Sequence, residues 1–293
     1  MEEMGGLIRR LPATALFFLI GAAAISGLPP LNGFVSEWLT YQALLAGFGT
    51  TQSLIRLMFP VAGALLALTA ALAAACFVKA FGITFLALPR GVEAERAREA
   101  PVSMRLGMAV LAAACVVLGV GAVWFLPVFD PITAQAMGVR ISSALSAGGG
   151  LALSAGTPRG GTVSTAAIAG LLLLLSALPA ILWIRRGRRV TGPAWDCGLP
   201  GLTAANEYTA TAFSKPLRMI FAALYRPRRE IQAEFEVSPY YPTAIRFESE
   251  IEPSFEKRLY DPIKDRVLAA AGRMRVMQAG SVHAYLAYIF VAL

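Results

Sequence analysis

The stretch Gly27-Leu28-Pro29-Pro30-Leu31-Asn32-Gly33-Phe34-Val35-Ser36-Glu37-Trp38 decides how this chain is read. It separates two apolar runs, Leu11–Ile25 before it and Trp38–Phe48 after it, each suited to lipid. Two prolines in series remove backbone donors and cannot continue a helix, so a break falls near residues 28–33. Backbone groups freed at membrane depth must be satisfied by protein or water, since lipid offers them nothing. A carboxylate at that depth costs about 2.5–3.5 kcal/mol on insertion scales, so Glu37 needs a compensating reason to be there. A charge on an interrupted membrane helix is the signature of an ion path. The competing reading is a static pair, or a glutamate carried to the interface by helix tilt. Pro29, Pro30, Asn32, Gly33 and Ser36 are the candidates for breaking and hydrating the helix. Ser26, Asn32 and Ser36 could hold water, or could equally serve helix packing.

The surrounding sequence places that stretch in a membrane. Of 293 residues, 57% are hydrophobic and 15% charged. Mean hydropathy is +0.62. A soluble domain carries about 25% charged residues, so the fold class is an all-α membrane protein with several spans. Span A covers Leu11–Phe48 with its break, span B Leu54–Leu88, span C Met104–Phe129 and span D Thr162–Ile184. Span B exceeds the roughly 20 residues of one straight crossing, so its first turns are expected outside the hydrocarbon. A fifth apolar segment starts at Ser281 and ends with the chain at Leu293, too short to cross, which reads as a truncated final span. The expected organisation is therefore a four-span part over residues 1–184, a water-facing segment over 185–280 and the start of another span over 281–293. The connection between C and D, rich in Ser, Ala and Gly over Ser142–Gly156, is expected as a flexible loop or a short surface helix.

Net charge is +8, but it is not a nucleic-acid footprint, because no basic, aromatic-interleaved recognition motif accompanies it. The basic residues cluster in alternate loops. Arg9 and Arg10 precede span A, Arg90, Arg96, Arg98 and Arg105 lie between B and C, and Arg185, Arg186, Arg188 and Arg189 follow D. Arg56, Arg140 and Arg159 are thinly spread over the other loops. All basic-rich loops share one side if span A runs from inside to outside, which makes the N-terminus and residues 185–280 cytoplasmic. Cys76, Cys115 and Cys197 show no paired spacing and His283 is the single histidine, so neither a metal site nor a bound cofactor is expected from this chain.

Lys79 lies inside span B and has two open readings. It is either a path residue or an anchor whose amine snorkels to the interface. Residues 185–242 read as irregular, with Glu207, Asp196 and the acidic run Glu248, Glu250, Glu252 and Glu256 in water, the run as a solvated face. Beyond them Phe255, Leu259, Ile263, Val267, Ala271, Met274 and Met277 recur at helical spacing among Lys257, Arg258, Lys264, Arg266, Arg273 and Arg275. That is a basic amphipathic helix, with Asp261-Pro262 as its expected N-cap and first-turn pair. It can lie on the membrane surface, against neighbouring subunits or on its own domain.

Gly27 to Leu39 resembles the late broken helix of the antiporter-like subunits of respiratory complex I, Mrp-type sodium/proton antiporters and membrane-bound hydrogenases. The resemblance implies that Glu37 occupies the position of a charged residue in a central relay, and that Lys79 matches a basic residue of the next helix. Trp195-Asp196-Cys197-Gly198-Leu199-Pro200 and Glu207-Tyr208-Thr209-Ala210-Thr211-Ala212-Phe213-Ser214-Lys215-Pro216-Leu217-Arg218 resemble the hydrogenase-4 component B and formate hydrogenlyase branch. That resemblance implies a C-terminal piece of a proton- or sodium-translocating subunit. It would sit in a bacterial or archaeal plasma membrane, beside the other membrane and hydrophilic subunits of a hydrogenase or complex I-like assembly. The alternatives are a subunit of a stand-alone cation/proton antiporter and a structural membrane anchor. No self-contained active site is expected.

Overall fold

The computed structural model describes residues 1–49, 52–156, 160–185, 192, 195–198, 201–225, 227–234, 244–251, 255–275, 280 and 282–292. Arg159, Arg186, Arg188, Arg189, Leu199, Pro200, Glu252, Met277, Ser281 and Leu293, drawn on above, lie outside these residues. The chain divides into two compact units, Met1–Phe213 and Ser214–Leu293.

The first unit is a helical bundle. Helices α1 (Pro12–Ile25) and α2 (Asn32–Ala46) form the broken element, and α3 (Ser53–Phe85) follows. A short α4 (Val92–Arg96) leads into α5 (Val102–Val120). Then come α6 (Ala122–Phe125), α7 (Asp130–Met137), α8 (Ile141–Leu145), the strands β1 (Ser146–Ala147), β2 (Ala152–Ser154) and β3 (Thr162–Val163), and the apolar α9 (Thr165–Arg185). Helices α3, α5 and α9 are long and apolar enough to cross a membrane. Helix α1, with 14 residues, reaches only about 21 Å at 1.5 Å per residue. A crossing along this line therefore takes α1 and α2 together. Leucines cover α9 and stay exposed nearly all round, the surface expected of a helix bathed in lipid.

Helix α1 packs on α3 and α5, and α2 packs on α5 and α3, so the break is enclosed by both long helices. Phe18 of α1 meets Phe77, Phe81 and Phe85 of α3 with ring centroids 5.4–6.4 Å apart. At one end of the bundle Leu7, Ala15, Phe85 and Ala94 form a small core. At the other, Val35 of α2 is buried with Ala122, Val123, Leu126 and Leu153, and Phe34, Trp38 and Leu39 flank them. Leu153 is fully buried because β2 is the central strand of an antiparallel sheet ordered β1-β2-β3. The expected loop over Ser142–Gly156 is thus half helix and half sheet. The apolar Leu151-Ala152-Leu153, between glycine-rich turns, has a hydrophobic face of α2 to cover.

The second unit corrects the sequence reading twice. The stretch expected to be irregular carries α10 (Ala210–Ile220), which begins in the first unit, α11 (Ala222–Tyr225) and an antiparallel ribbon of β4 (Pro227–Glu234) and β5 (Ala244–Ile251). Ile231 and Ala233 face Phe247 and Ile245 in the register, and Arg228 faces Glu250. The period-two pattern of a strand was present but was obscured by its dense charges. The second correction concerns α12 (Asp261–Arg275): Asp261 is not its N-cap. The chain is already helical at Phe255 and passes through a π turn over Glu256–Tyr260, with Asp261 at φ −60° and ψ −47°. No free first-turn donor remains there for Asp261 to cap. Its carboxylate instead accepts a hydrogen bond from Lys264 Nζ at 2.6 Å. A last helix, α13, covers Val282–Ala292.

The start of α1 is held from a distance. Glu99, in the loop before α5, accepts hydrogen bonds from Ala13 N–H at 2.9 Å and Thr14 Oγ1 at 2.6 Å. The Ala13 amide is an orphan first-turn donor, with Leu11 providing no side-chain cap. The Thr14 hydroxyl chiefly, with the Ala100 and Ala13 amides, holds the Glu99 carboxyl below its ordinary 4.5. A carboxyl lowered by folding stabilises the fold above its unfolded value, and that contribution is lost as pH falls through the folded value. On acidification below about pH 4.5, the purified protein is therefore expected to lose thermal stability. In Glu99→Gln the melting temperature should be lower at neutral pH and less sensitive to acid, as followed by circular dichroism in detergent.

Candidate ion-path site at the broken helix

The break is built so that few backbone groups are left over. Helix α1 ends with Gly27 at φ +65°, a left-handed conformation that glycine adopts without steric penalty. Gly27 N–H donates to the Ala24 carbonyl and Leu28 N–H to the Ala23 carbonyl, each at 3.1 Å. That pair of bonds is the Schellman arrangement, which satisfies the last carbonyls of a helix. Leu31 N–H then donates to the Leu28 carbonyl at 3.1 Å, closing a turn around the cis Pro29–Pro30 bond. Helix α2 restarts at once, with Ser36 Oγ donating to the Gly33 carbonyl at 2.9 Å and Thr40 Oγ1 to the Ser36 carbonyl at 2.8 Å.

Three glycines allow the close approaches. A Cβ on Gly33 would collide with the Ala24 carbonyl, and a Cβ on Gly119 of α5 would collide with the Pro30 carbonyl. Helix α5 therefore presses its backbone directly on the break. Gly27 is the third. A Cβ there would stand 2.5 Å from Glu37 Oε2 and 2.9 Å from its Cδ. Glu37, five residues into α2, folds its carboxylate back onto the end of α1 and is partly buried. Asn32 Oδ1 is buried beside it in sequence with no hydrogen-bond partner among the described residues. A buried amide oxygen of this kind is a natural ligand for an ordered water.

Pro29, Pro30, Asn32, Gly33, Ser36 and Glu37 thus gather at one place. Lys79 is on the neighbouring helix α3, half-buried and six residues before that helix ends at Phe85. Phe77 and Phe81 on either side of it join the Phe18 cluster. A cavity of about 220 Å³ lies between α1 and α3, lined by Leu19, Ala22, Phe77, Phe81 and Gly82, with Ser26 and Leu28 at its edge. Its lining is apolar, so it offers little to an ion.

Two features were missed from the sequence. Gly119 looks like any small residue of an apolar helix, and nothing local to it announces the contact with Pro30. Arg90 appeared only as one of a loop's basic residues. In the structure Arg90 Nη2 pairs with Glu207 Oε2 at 3.3 Å, with side chains 9% and 21% exposed. Arg90 Nη1 also donates to the Met4 carbonyl, while Glu207 Oε1 accepts Leu88 N–H at 2.9 Å. Glu2 accepts Thr211 N–H and Oγ1, both at 2.7 Å. The Glu207–Phe213 motif therefore docks on the end of α3 rather than standing in water.

A helix interrupted at Pro-Pro, pressed by two long apolar helices and carrying a carboxylate at its break, is the arrangement that the resemblance to antiporter-like membrane subunits implies. Residues 1–85 match the family described as NADH:quinone oxidoreductase/Mrp antiporter, transmembrane. The whole chain is homologous to hydrogenase-4 component B of Escherichia coli, with 36% identity over 301 residues, covering 100% of this chain and 44% of that protein. Formate hydrogenlyase subunit 3 of the same organism is 35% identical over 78% of this chain and 35% of its own length. The chain thus spans less than half the length of these relatives. In fold it is similar to a subunit of the membrane-bound sulfane sulfur reductase, an archaeal respiratory membrane complex. The TM-score is 0.57 at 19% identity, over 99% of this chain and 41% of that one. The protein is a multi-pass, mainly helical membrane protein.

Among the described residues no group of three or more His, Cys, Asp or Glu side chains is placed to hold a metal ion. The arrangement sets one carboxylate, that of Glu37, against the glycine turn that ends α1. The Gly119 contact carries a structural prediction. Gly119→Val is expected to push α5 off the break and lower the amount of folded protein recovered from membranes, as read by size-exclusion chromatography in detergent. Gly107→Val, on the same helix in open space, should leave that amount unchanged.

Proposed function

We propose that this chain is part of an ion-translocating membrane subunit of a hydrogenase-4-like redox complex. The observation that carries this reading is the Glu37 carboxylate seated at the helix break of a chain homologous to hydrogenase-type membrane subunits. Electron transfer takes place in partner subunits, and this subunit couples it to ion movement. Glu37 takes up and releases a proton, or exchanges it against sodium. Pro29, Pro30, Asn32, Gly33 and Ser36 keep the break open to water, with Asn32 Oδ1 a ready acceptor for it. Lys79 on α3 either relays charge or biases Glu37 through its own positive charge. The basic loops put the N-terminus and residues 185–280 on the cytoplasmic side of a bacterial or archaeal plasma membrane. In this reading residues 1–184 carry the path, residues 185–280 the cytoplasmic segment and residues 281–293 the start of a further span.

Glu37→Gln keeps the shape of the side chain and removes its proton exchange. In the full-length subunit within its complex, this variant is expected to abolish proton pumping into inverted vesicles while hydrogenase activity and assembly persist. Pumping at the normal rate with normal assembly would overturn the role given to Glu37.

The second unit favours an anchoring role alongside. Phe255, Leu259, Ile263 and Val267 are 48–60% exposed along one helical stretch, among basic residues that suit a membrane surface or acidic neighbours. Deleting Asp261–Gly280 should disperse the complex on native gels without touching the break.

A further inference from the structure

We infer that Gly27 is a positioning residue for Glu37, so that the shape of the helix break dictates where the proton-exchanging carboxylate stands. This rests on the role proposed for Glu37 and adds a residue and a device to it. Two demands meet at position 27. The backbone there is left-handed at φ +65°, as the end of α1 requires. Independently, the space a side chain would fill is taken by Glu37: a Cβ would lie 2.5 Å from Oε2, 2.9 Å from Cδ and 3.2 Å from Oε1. Real Cβ atoms do not approach carboxylate atoms so closely, and Glu37 is the part that can give way.

The left-handed backbone alone does not explain the glycine. Gly138, at the end of α7, has φ +70° and open space around it. Gly27 has the same backbone conformation with a carboxylate lying on it. The seat exists only while Gly27 and Leu28 keep their bonds to Ala24 and Ala23. If that turn unwinds, the surface under the carboxylate is lost and Glu37 must move. Opening of the break and displacement of the acid are thus one event.

The test uses the full-length subunit in its complex, with four variants. Gly27→Ala is expected to cut proton pumping per hydrogen turned over by about tenfold or more, since misplacing a reacting group by about 1 Å costs up to about a hundredfold. It should also shift the pH profile of carbodiimide labelling at residue 37, read by mass spectrometry. Glu37→Asp withdraws the carboxylate by one methylene, so Gly27→Ala combined with Glu37→Asp should pump as well as Glu37→Asp alone. Gly138→Ala, which adds the same backbone strain in open space, should pump and label as the unaltered subunit does. The rescue separates steric displacement from backbone strain, because both Gly27→Ala backgrounds carry the strain equally. If Gly27→Ala fails to assemble, recovery of assembly by Glu37→Asp gives the same support, and its absence overturns the inference. Normal pumping and labelling in Gly27→Ala, or a double variant no better than Gly27→Ala, also overturn it. The seat alone has then failed if Glu37→Gln still abolishes pumping. Normal pumping in Glu37→Gln instead removes the role of Glu37 itself.

Discussion

Hydrocarbon offers no partner to an unpaired peptide group, and an interrupted helix produces several of them. The bundle is organised around satisfying those groups between Ile25 and Asn32. The end of α1 folds its own carbonyls into a glycine turn, and the Pro-Pro peptide closes a second turn through Leu31. Helix α5 covers the Pro30 carbonyl with the bare backbone of Gly119. At the break itself, the buried side-chain atom left without a protein partner among the described residues is the amide oxygen of Asn32. A charge can therefore be kept here without exposing backbone to lipid. Glu37 uses the small space that the glycine turn leaves.

Around that centre, polar groups do most of their work at one end of the bundle. At one end Glu99, Arg90, Glu207 and Glu2 tie loops distant in sequence to helix ends. Glu99 and Glu2 answer first-turn amides that the helix geometry leaves open, while Glu207 accepts from Leu88 N–H just beyond α3. At the other end the cover is apolar: the β1-β2-β3 sheet and its neighbouring helices bury Leu153 and Val35 together. Between the ends, aromatic stacking of Phe18 on α3 and glycine contacts with α5 suffice, because lipid gives no hydrophobic reward for helix association and close packing must supply it.

The spans and the break were legible because each has a local signature, and so was the place of Glu37 beside the break. Pro29-Pro30 ends a helix wherever it stands, and a lone acid in an apolar run is conspicuous. The basic helix was legible by its period, but not its starting point, since a π turn before Asp261 leaves no pattern in the residues. The ribbon of β4 and β5 was hidden for a different reason: its alternation is carried by only a few apolar residues among many charges. Contacts between distant segments were the least legible. Gly119 against Pro30, Glu99 against α1 and Glu207 against Arg90 join residues about 85 to 120 positions apart. No window along the sequence contains both partners. The acidic Glu207 could be recognised as part of a motif, yet its purpose appeared only once α3 ended beside it.

The sheet over α2 has a mechanical consequence. Helix α1 is gripped at its first turn by Glu99, at one end of the bundle. Helix α2 is gripped by Val35, Phe34 and Trp38 beneath the sheet, towards the other. The two halves of one crossing are thus held by separate sets of contacts, and the six residues Ser26–Leu31 are the only covalent link from one set to the other along this line.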